Sequence, residues 1–322
     1  MRAISQRSFG DPDVLHLVDV PKPTPLPSEV LVRVHAAAVN PVDAMVRSGL
    51  FPLLGEPPFI LGWDISGVVE EVVPGVNRFQ VGDEVYGMPF FPRPGNAYAD
   101  YVAVPSRQLA RKPAALDHSH AAALPLAGLT AWQSLVDTAD VQPGQRVLIH
   151  AAGGGVGHLA VQIAKSRGAH VIGTAGATKH DFVLGLGADE VLDYTTTDFT
   201  TALHDLDVVL DTVGGPVGPR SIEVLRPGGL LVTVVDRTSE ELRTATLAAG
   251  KRFAGVTVEP DHVGLEALAA LADAGELRPY VEHAIPLEDA SKAHEFIESG
   301  RTRGRSCWLC EPGPPRQATR GP

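Results

Sequence analysis

The stretch from Val147 to Lys165 (Val-Leu-Ile-His-Ala-Ala-Gly-Gly-Gly-Val-Gly-His-Leu-Ala-Val-Gln-Ile-Ala-Lys) constrains this chain more than any other. A short apolar run of β type ends in small residues and glycines. Apolar positions then recur at helical spacing (Val156, Leu159, Ala160, Ile163, Ala164), so the stretch reads as strand, tight turn and helix. A helix N-terminus presents unpaired N–H groups and partial positive charge, and glycine lets a phosphate approach the backbone with no Cβ in between. The fingerprint Gly-x-Gly-x-x-Gly is incomplete: Ala152 stands for its first glycine, while Gly154 and Gly157 keep the other two. A glycine-rich βα turn without a ligand is the competing interpretation.

A second β-type run, His170 to Thr174, ends about twenty residues past the glycines, where an adenosine ribose would lie. No Asp or Glu stands there. Ala175-Gly176-Ala177-Thr178-Lys179-His180 is small or basic, so a carboxylate to grip a free ribose diol is missing and a 2′-phosphate is accommodated. NADPH is therefore favoured over NADH. Lys179 reads alternatively as a solvated lysine of a first helical turn.

At 322 residues with 44% hydrophobic content, the chain can bury the cores of two domains. A formal charge of −11 argues against binding to a nucleic-acid backbone and gives no attraction to anionic lipid. No apolar run approaches the roughly eighteen residues that span a bilayer, and the first twenty residues lack a signal-peptide core, so no membrane partner and a cytoplasmic location are expected. Cys307 and Cys310 are the only cysteines, which excludes a disulfide framework and a four-thiolate zinc site. On a terminal strand their spacing points them to opposite faces, as small core-type residues.

Taken in order, the chain opens with two β-type segments around Gly10-Asp11-Pro12 and an extended connector fixed by Pro21, Pro23, Pro25 and Pro27. A strand from Glu29 to Val39, a short helix from Pro41 to Arg47, and further strands around 60–73, 81–87 and 98–104 suggest a barrel-like β domain. Helices at 121–124 and 129–139 lead to the glycine stretch. Strands then alternate with helices, which implies a parallel sheet covered on both faces, closed by a strand at Val256 to Glu259. A helix at 263–274, a strand near 281–285, a helix at 287–299 and a final strand return to the first domain. The expected organisation is α/β: a catalytic barrel from residues 1–120 and 259–310, a doubly wound dinucleotide domain from 121–258, and a disordered tail over 311–322.

With Ala38-Val39-Asn40-Pro41-Val42-Asp43, Leu61-Gly62-Trp63-Asp64-Ile65-Ser66-Gly67, Gly82-Asp83-Glu84-Val85-Tyr86-Gly87, Leu129-Thr130-Ala131-Trp132, the glycine stretch, Leu186 to Tyr194, Asp211 to Gly215 and Leu225 to Gly229 in line, the chain resembles the medium-chain dehydrogenase/reductase superfamily. Within it, the likeness is to the zinc-less quinone oxidoreductase branch, and it covers roughly residues 1 to 310. The resemblance implies a GroES-like barrel, a Rossmann domain with a cleft between the two, and homodimerisation through an edge strand of the cofactor domain. It places Gly154, Gly155, Val156 and Gly157 at the diphosphate and Gly176, Lys179 and Tyr194 at the adenosine phosphate, with Thr174 also among the cofactor-binding residues. Thr130 falls near the nicotinamide, and Val213, Gly214 and Val234 along the cofactor.

Zinc-bearing relatives carry a cysteine on the loop corresponding to Asn40–Asp43 and a His-Glu pair corresponding to Trp63 and Asp64. None of these positions carries a thiolate or imidazole here, and His118 and His120 read as surface residues, so no metal is expected. Without a Lewis acid an isolated carbonyl is a poor acceptor, whereas a quinone or α,β-unsaturated carbonyl spreads the incoming charge onto a distant oxygen. NADPH-dependent reduction of a quinone or enone follows as the expectation. Asn40 is a donor candidate or a turn residue before proline, and Asp43 an orienting group. Relatives often carry a tyrosine where Ala44-Met45-Val46 stand, so Tyr86 or water is left to supply the proton. Phe51, Phe59, Phe90, Phe91 and Tyr98 are candidate pocket aromatics. The rival readings are an alcohol or aldehyde dehydrogenase of the same superfamily and an NADPH-binding sensor or partner without turnover.

Overall fold

The computed structural model describes residues 1–309, so Cys310 and the 311–322 tail lie outside it. The chain opens with the antiparallel pair β1 (Arg2–Gln6) and β2 (His16–Asp19), and the proline-rich connector stays out of any ladder. β3 (Glu29–Ala38) runs into α1 (Pro41–Ser48). That helix starts where it does because Asn40, ahead of a proline, is extended (φ −120°, ψ 154°) and Pro41 takes the first helical position. β4 (Phe59–Ile60), β5 (Asp64–Val72), β6 (Glu84–Gly87), β7 (Tyr101–Pro105) and β8 (Leu109–Arg111) follow, divided by Gly and Pro turns. α2 (His118–Ala122) and α3 (Pro125–Trp132), continued by a π-helical segment at Gln133–Thr138, lead out of this layer.

Alternation then takes over: β9 (Arg146–Ile149), α4 (Gly157–Ser166), β10 (His170–Ala175), α5 (His180–Gly185), β11 (Glu190–Asp193), α6 (Phe199–Ala202), β12 (Leu206–Asp211), α7 (Val217–Val224), β13 (Leu225–Thr233), α8 (Glu240–Ala248) and β14 (Arg252–Gly255). The chain closes with α9 (His262–Asp273), β15 (Val281–Pro286), α10 (Ala290–Glu298) and β16 (Arg305–Leu309). Among the described residues no helix is long and apolar enough to cross a membrane.

Two main sheets result. The parallel one has the order β11-β10-β9-β12-β13-β14, the doubly wound arrangement. β9 lies between β10 and β12, so the turn that follows it sits where the strand order reverses, the crevice in which such sheets take ligands. The other has the order β15-β16-β3-β5-β6-β8, with β7 also on β3, and forms the GroES-like domain. β16 lies antiparallel to β3 with Cys307 opposite Ala38, and Val39 N donates to Ser306 O at 3.1 Å. The last strand thereby enters the barrel beside the start of α1.

The strand expected at 256–259 is instead Arg252–Gly255. It opens on the basic Arg252, directly after Lys251, while the buried Val256 and Val258 follow the strand, so hydropathy points four residues late. Leu148 is fully buried in one core cluster with Ile172, Val209 and Leu231. Leu148→Ala is expected to cost about 2–5 kcal/mol, read from the urea midpoint, and a loss well under about 1 kcal/mol would contradict close packing there.

Candidate nucleotide cleft

Between β9 and α4 the chain folds back on itself. Ala151 takes φ 49°, and a Cβ on Gly157 would stand 2.3 Å from the Ala151 carbonyl oxygen, so the turn closes only around glycine. Ala152 N donates to Thr174 O at 2.9 Å, which pins the turn to β10. The buried His158 donates from Nδ1 to Gly154 O (2.9 Å) and accepts at Nε2 from Tyr280 N (3.2 Å). Its ring thus holds one turn carbonyl back, and the first turn of α4 closes onto the same loop: His158 N donates to Gly154 O at 3.0 Å and Ala160 N to Val156 O at 2.9 Å. Burial pushes the His158 imidazole down to about 4, so it is neutral and its two roles are compatible.

Opposite the turn stands a buried cluster from the barrel. Arg305 on β16, 3% exposed, is ion-paired to Asp64 on β5 and donates from Nη1 to Asn40 Oδ1 at 2.7 Å. Asn40 Nδ2 donates to Asp64 Oδ2 at 2.9 Å, and Leu126 N on α3 donates to Asp64 Oδ1 at 2.6 Å. Burial pushes the Asp64 carboxyl up, and these donors pull it back. Arg305 Nε has no hydrogen-bond partner among the described residues, and a Cβ on Gly155 would lie 3.4 Å from Arg305 Cδ and Nη1.

The turn and this cluster enclose a cavity of about 540 Å³, lined by Asn40, Gly154 to Gly157, Gly176, Lys179, Tyr194 and Arg305. The segment between α10 and β16 forms its remaining wall: Gly304 N donates to Gly153 O (3.2 Å) and Lys179 Nζ to Thr302 O (2.8 Å). A second cavity of about 610 Å³ adjoins it across Ala151 and Tyr194 and is lined by His150, Thr174, Phe199, Val213 and Arg220, among others. The segment at Ala175 to Thr178 brings no carboxylate to either cavity wall.

The alcohol dehydrogenase GroES-like domain family matches residues 26–114, and the zinc-binding dehydrogenase family matches residues 186–306. Human quinone oxidoreductase is 32% identical over 93% of this chain and 94% of its own length. The structure of the quinone oxidoreductase from Coxiella burnetii superposes with a TM-score of 0.91 at 38% identity, covering 97% of this chain and 99% of that one. That of the Escherichia coli quinone oxidoreductase complexed with NADPH gives 0.87 at 30% identity, covering 96% and 100%. The chain belongs to the medium-chain dehydrogenase/reductase superfamily. Quinone oxidoreductases are among its matches there.

In this superfamily member the cleft gathers Asn40, Gly154, Gly155, Val156, Gly157, Gly176, Lys179 and Tyr194, with Thr174 and Val213 in the adjoining cavity. Other residues singled out from the sequence point elsewhere. Tyr86 is no proton donor for the cleft: its hydroxyl is buried and donates to the Leu265 carbonyl, and burial pushes its pKa up. Asp43 turns into the barrel and accepts from Asn40 N (2.7 Å) and Gly62 N (3.1 Å). Thr130 Oγ1 donates to Leu126 O at 2.6 Å within α3, Gly214 N donates to Asp211 Oδ1 at 2.9 Å, and Val234 N donates to Asp211 O at 3.2 Å; none of the three lines either cavity. Phe51, Phe59, Phe90, Phe91 and Tyr98 line neither cavity. His118 is not a plain surface residue, since its ring stacks on His35 at 4.4 Å and Nδ1 meets Ser66 Oγ at 2.8 Å. Sequence reasoning missed Arg305 and the 300–304 wall. The available signal was one arginine at the head of an apolar strand, directly after a glycine.

The His158 imidazole has a lower pKa folded than unfolded, so the stability it contributes is complete above about 6.5 and is lost as pH falls toward about 4. His158→Gln should flatten the pH slope of the unfolding free energy in that window by on the order of 1 kcal/mol per pH unit. Equal slopes in urea titrations of both proteins would contradict it.

Proposed function

We propose that the chain is an NADPH-dependent reductase that delivers hydride to a quinone or an α,β-unsaturated carbonyl without a metal. One observation carries the reading: a single cavity joins a glycine turn at a helix start, a lysine and tyrosine where a ribose carboxylate would otherwise stand, and the Asn40–Arg305 pair. These residues fit a dinucleotide. The glycine cradle that a Cβ would fill, and the unpartnered Arg305 Nε at its edge, suit a diphosphate, while Lys179 and Tyr194 suit a 2′-phosphate. The adjoining cavity around Thr174, Val213 and Arg220 has the place and size for the base. When bound, the cofactor supplies the hydride.

The protein's own residues do the rest. The Gly154–Gly157 turn holds the nucleotide, and Asn40 and Arg305 fix the barrel side of the cleft. A zinc ion does not fit the corresponding positions: Asn40 offers an amide, Trp63 donates its indole N–H to Arg93 O at 2.7 Å, and Asp64 is taken up by Arg305, Asn40 and Leu126. The cleft therefore positions its substrate and polarises it little, which suits an acceptor that carries its own conjugation. With Tyr86 committed to Leu265, the proton comes from water.

A steady-state screen of NADPH oxidation against quinones and enones tests this. Turnover with at least one, unaffected by chelator, is expected; tight NADPH binding with no turnover across the panel would leave the sensor reading. Lys179→Ala should raise the KM for NADPH about tenfold or more and leave that for NADH unchanged. We also infer a homodimer through the free edge of β14, for which sedimentation equilibrium should give twice the chain mass.

A further inference from the structure

Asp43 and Asp64 are two fully buried carboxylates in one core, and the Arg305 guanidinium pairs with Asp64. Asp43 is left with neutral donors: Asn40 N, Gly62 N and the Tyr98 hydroxyl. Burial pushes its carboxyl up to about 7, and Asp64 adds to the rise. The hydroxyl reaches Asp43 because residue 62 has no side chain. Gly62 takes φ +95°, and a Cβ there would lie 2.4 Å from the Tyr98 ring.

Behind Tyr98 the contacts continue. His294 Nε2 lies 3.4 Å from Tyr98 Oη, and Arg47 Nη1 lies 3.4 Å from His294 Nδ1. Arg47 is buried, ion-paired to Glu298, and donates from Nε to Gly10 O at 3.1 Å. Arginine only donates, so His294 Nδ1 must accept and Nε2 carries the ring proton toward Tyr98. The tyrosine's own hydrogen is then free for Asp43. Burial and Arg47 push the His294 imidazole down to about 3, which keeps it neutral with a single N–H. Donation thus runs one way, from Arg47 through α10 and Tyr98 to the carboxylate that holds the main chain of Asn40.

We propose that Tyr98 and His294 are positioning residues for the reduction: acting through Asp43, they set the place of Asn40 beside Asp64 and Arg305 in the cleft. This rests on the reductase reading above. Neither residue lines the cavity, and neither touches substrate or cofactor. The charged groups facing Asp43 are Asp64 and Arg305, both common to every variant below, so a change in its titration reports the chain itself.

The test is a set of pH–rate profiles for wild type, Tyr98→Phe, His294→Leu and His294→Gln. Tyr98→Phe keeps the ring that packs edge-on to Trp308 at 4.5 Å and removes one donor to an anion. It should lower kcat about tenfold with little change in the KM for NADPH, and move the acid limb up by about one pH unit. His294→Leu should behave likewise, whereas His294→Gln, whose amide still donates, should restore the limb. Variants that only lose stability, with kcat and acid limb in place, would overturn the proposal. If the wild type turns over nothing, the reductase reading fails by itself. Carbon-13 titration of the Asp43 carboxyl then decides the chain: an upward shift in Tyr98→Phe upholds it, and an unmoved midpoint rejects it.

Discussion

The buried contact of Arg305 with Asp64 and Asn40 is what the cleft is built around. Taking a guanidinium and a carboxylate out of water costs several kcal/mol each, recovered only when geometry and extra hydrogen bonds are good. Here Asp64 accepts from Arg305, Asn40 and Leu126 N, which come from β16, α1's entry and α3. Removing either charge would strand the other, a loss of about 3–5 kcal/mol in buried pairs. The same contact draws the last strand, the first helix and the helix leading to the parallel sheet to one point. A Cβ on Gly155 would lie 3.4 Å from Arg305, so the glycine turn and the barrel cluster face each other where the nucleotide is proposed to sit.

Function follows from what this contact leaves undone. Asp64 accepts three donors and Asn40 is held at both ends of its amide, so neither is free to polarise a substrate carbonyl. The opposite side offers a glycine turn at a helix start and a lysine that spans to the Thr302 carbonyl of the facing segment. A site of this kind orients two molecules more than it activates either one. That division of labour suits a hydride acceptor able to disperse charge by itself.

Much of this was legible in the sequence because it rests on local rules. The turn after Ile149 needs glycine at 157 for a steric reason, α1 begins where a proline allows, and continuous apolar strands announce a parallel sheet. What escaped depends on long-range geometry. Arg305 and Asp64 are 241 positions apart, and no periodicity links them. Tyr86 stands between glycines as a candidate proton donor, yet its hydroxyl finds the Leu265 carbonyl of α9. α7 was not read because Gly218 and Pro219 interrupt its pattern, while β14 was displaced by the apolar residues that follow it. α8 carries a legible start, Ser239 capping Leu242 N beside Glu240 and Glu241, but its thin apolar face gives little periodicity to extend it.

The central claim is that a nucleotide diphosphate lies on the Gly154–Gly157 turn, facing Arg305. Fluorescence titration of NADPH against wild type and Gly157→Val tests it most directly, with circular dichroism checking that the variant is folded. One NADPH per chain in the wild type, and at least about a hundredfold weaker binding in a folded variant, is the result this account predicts. Equal affinity in the two proteins, or no uptake by the wild type, would contradict it.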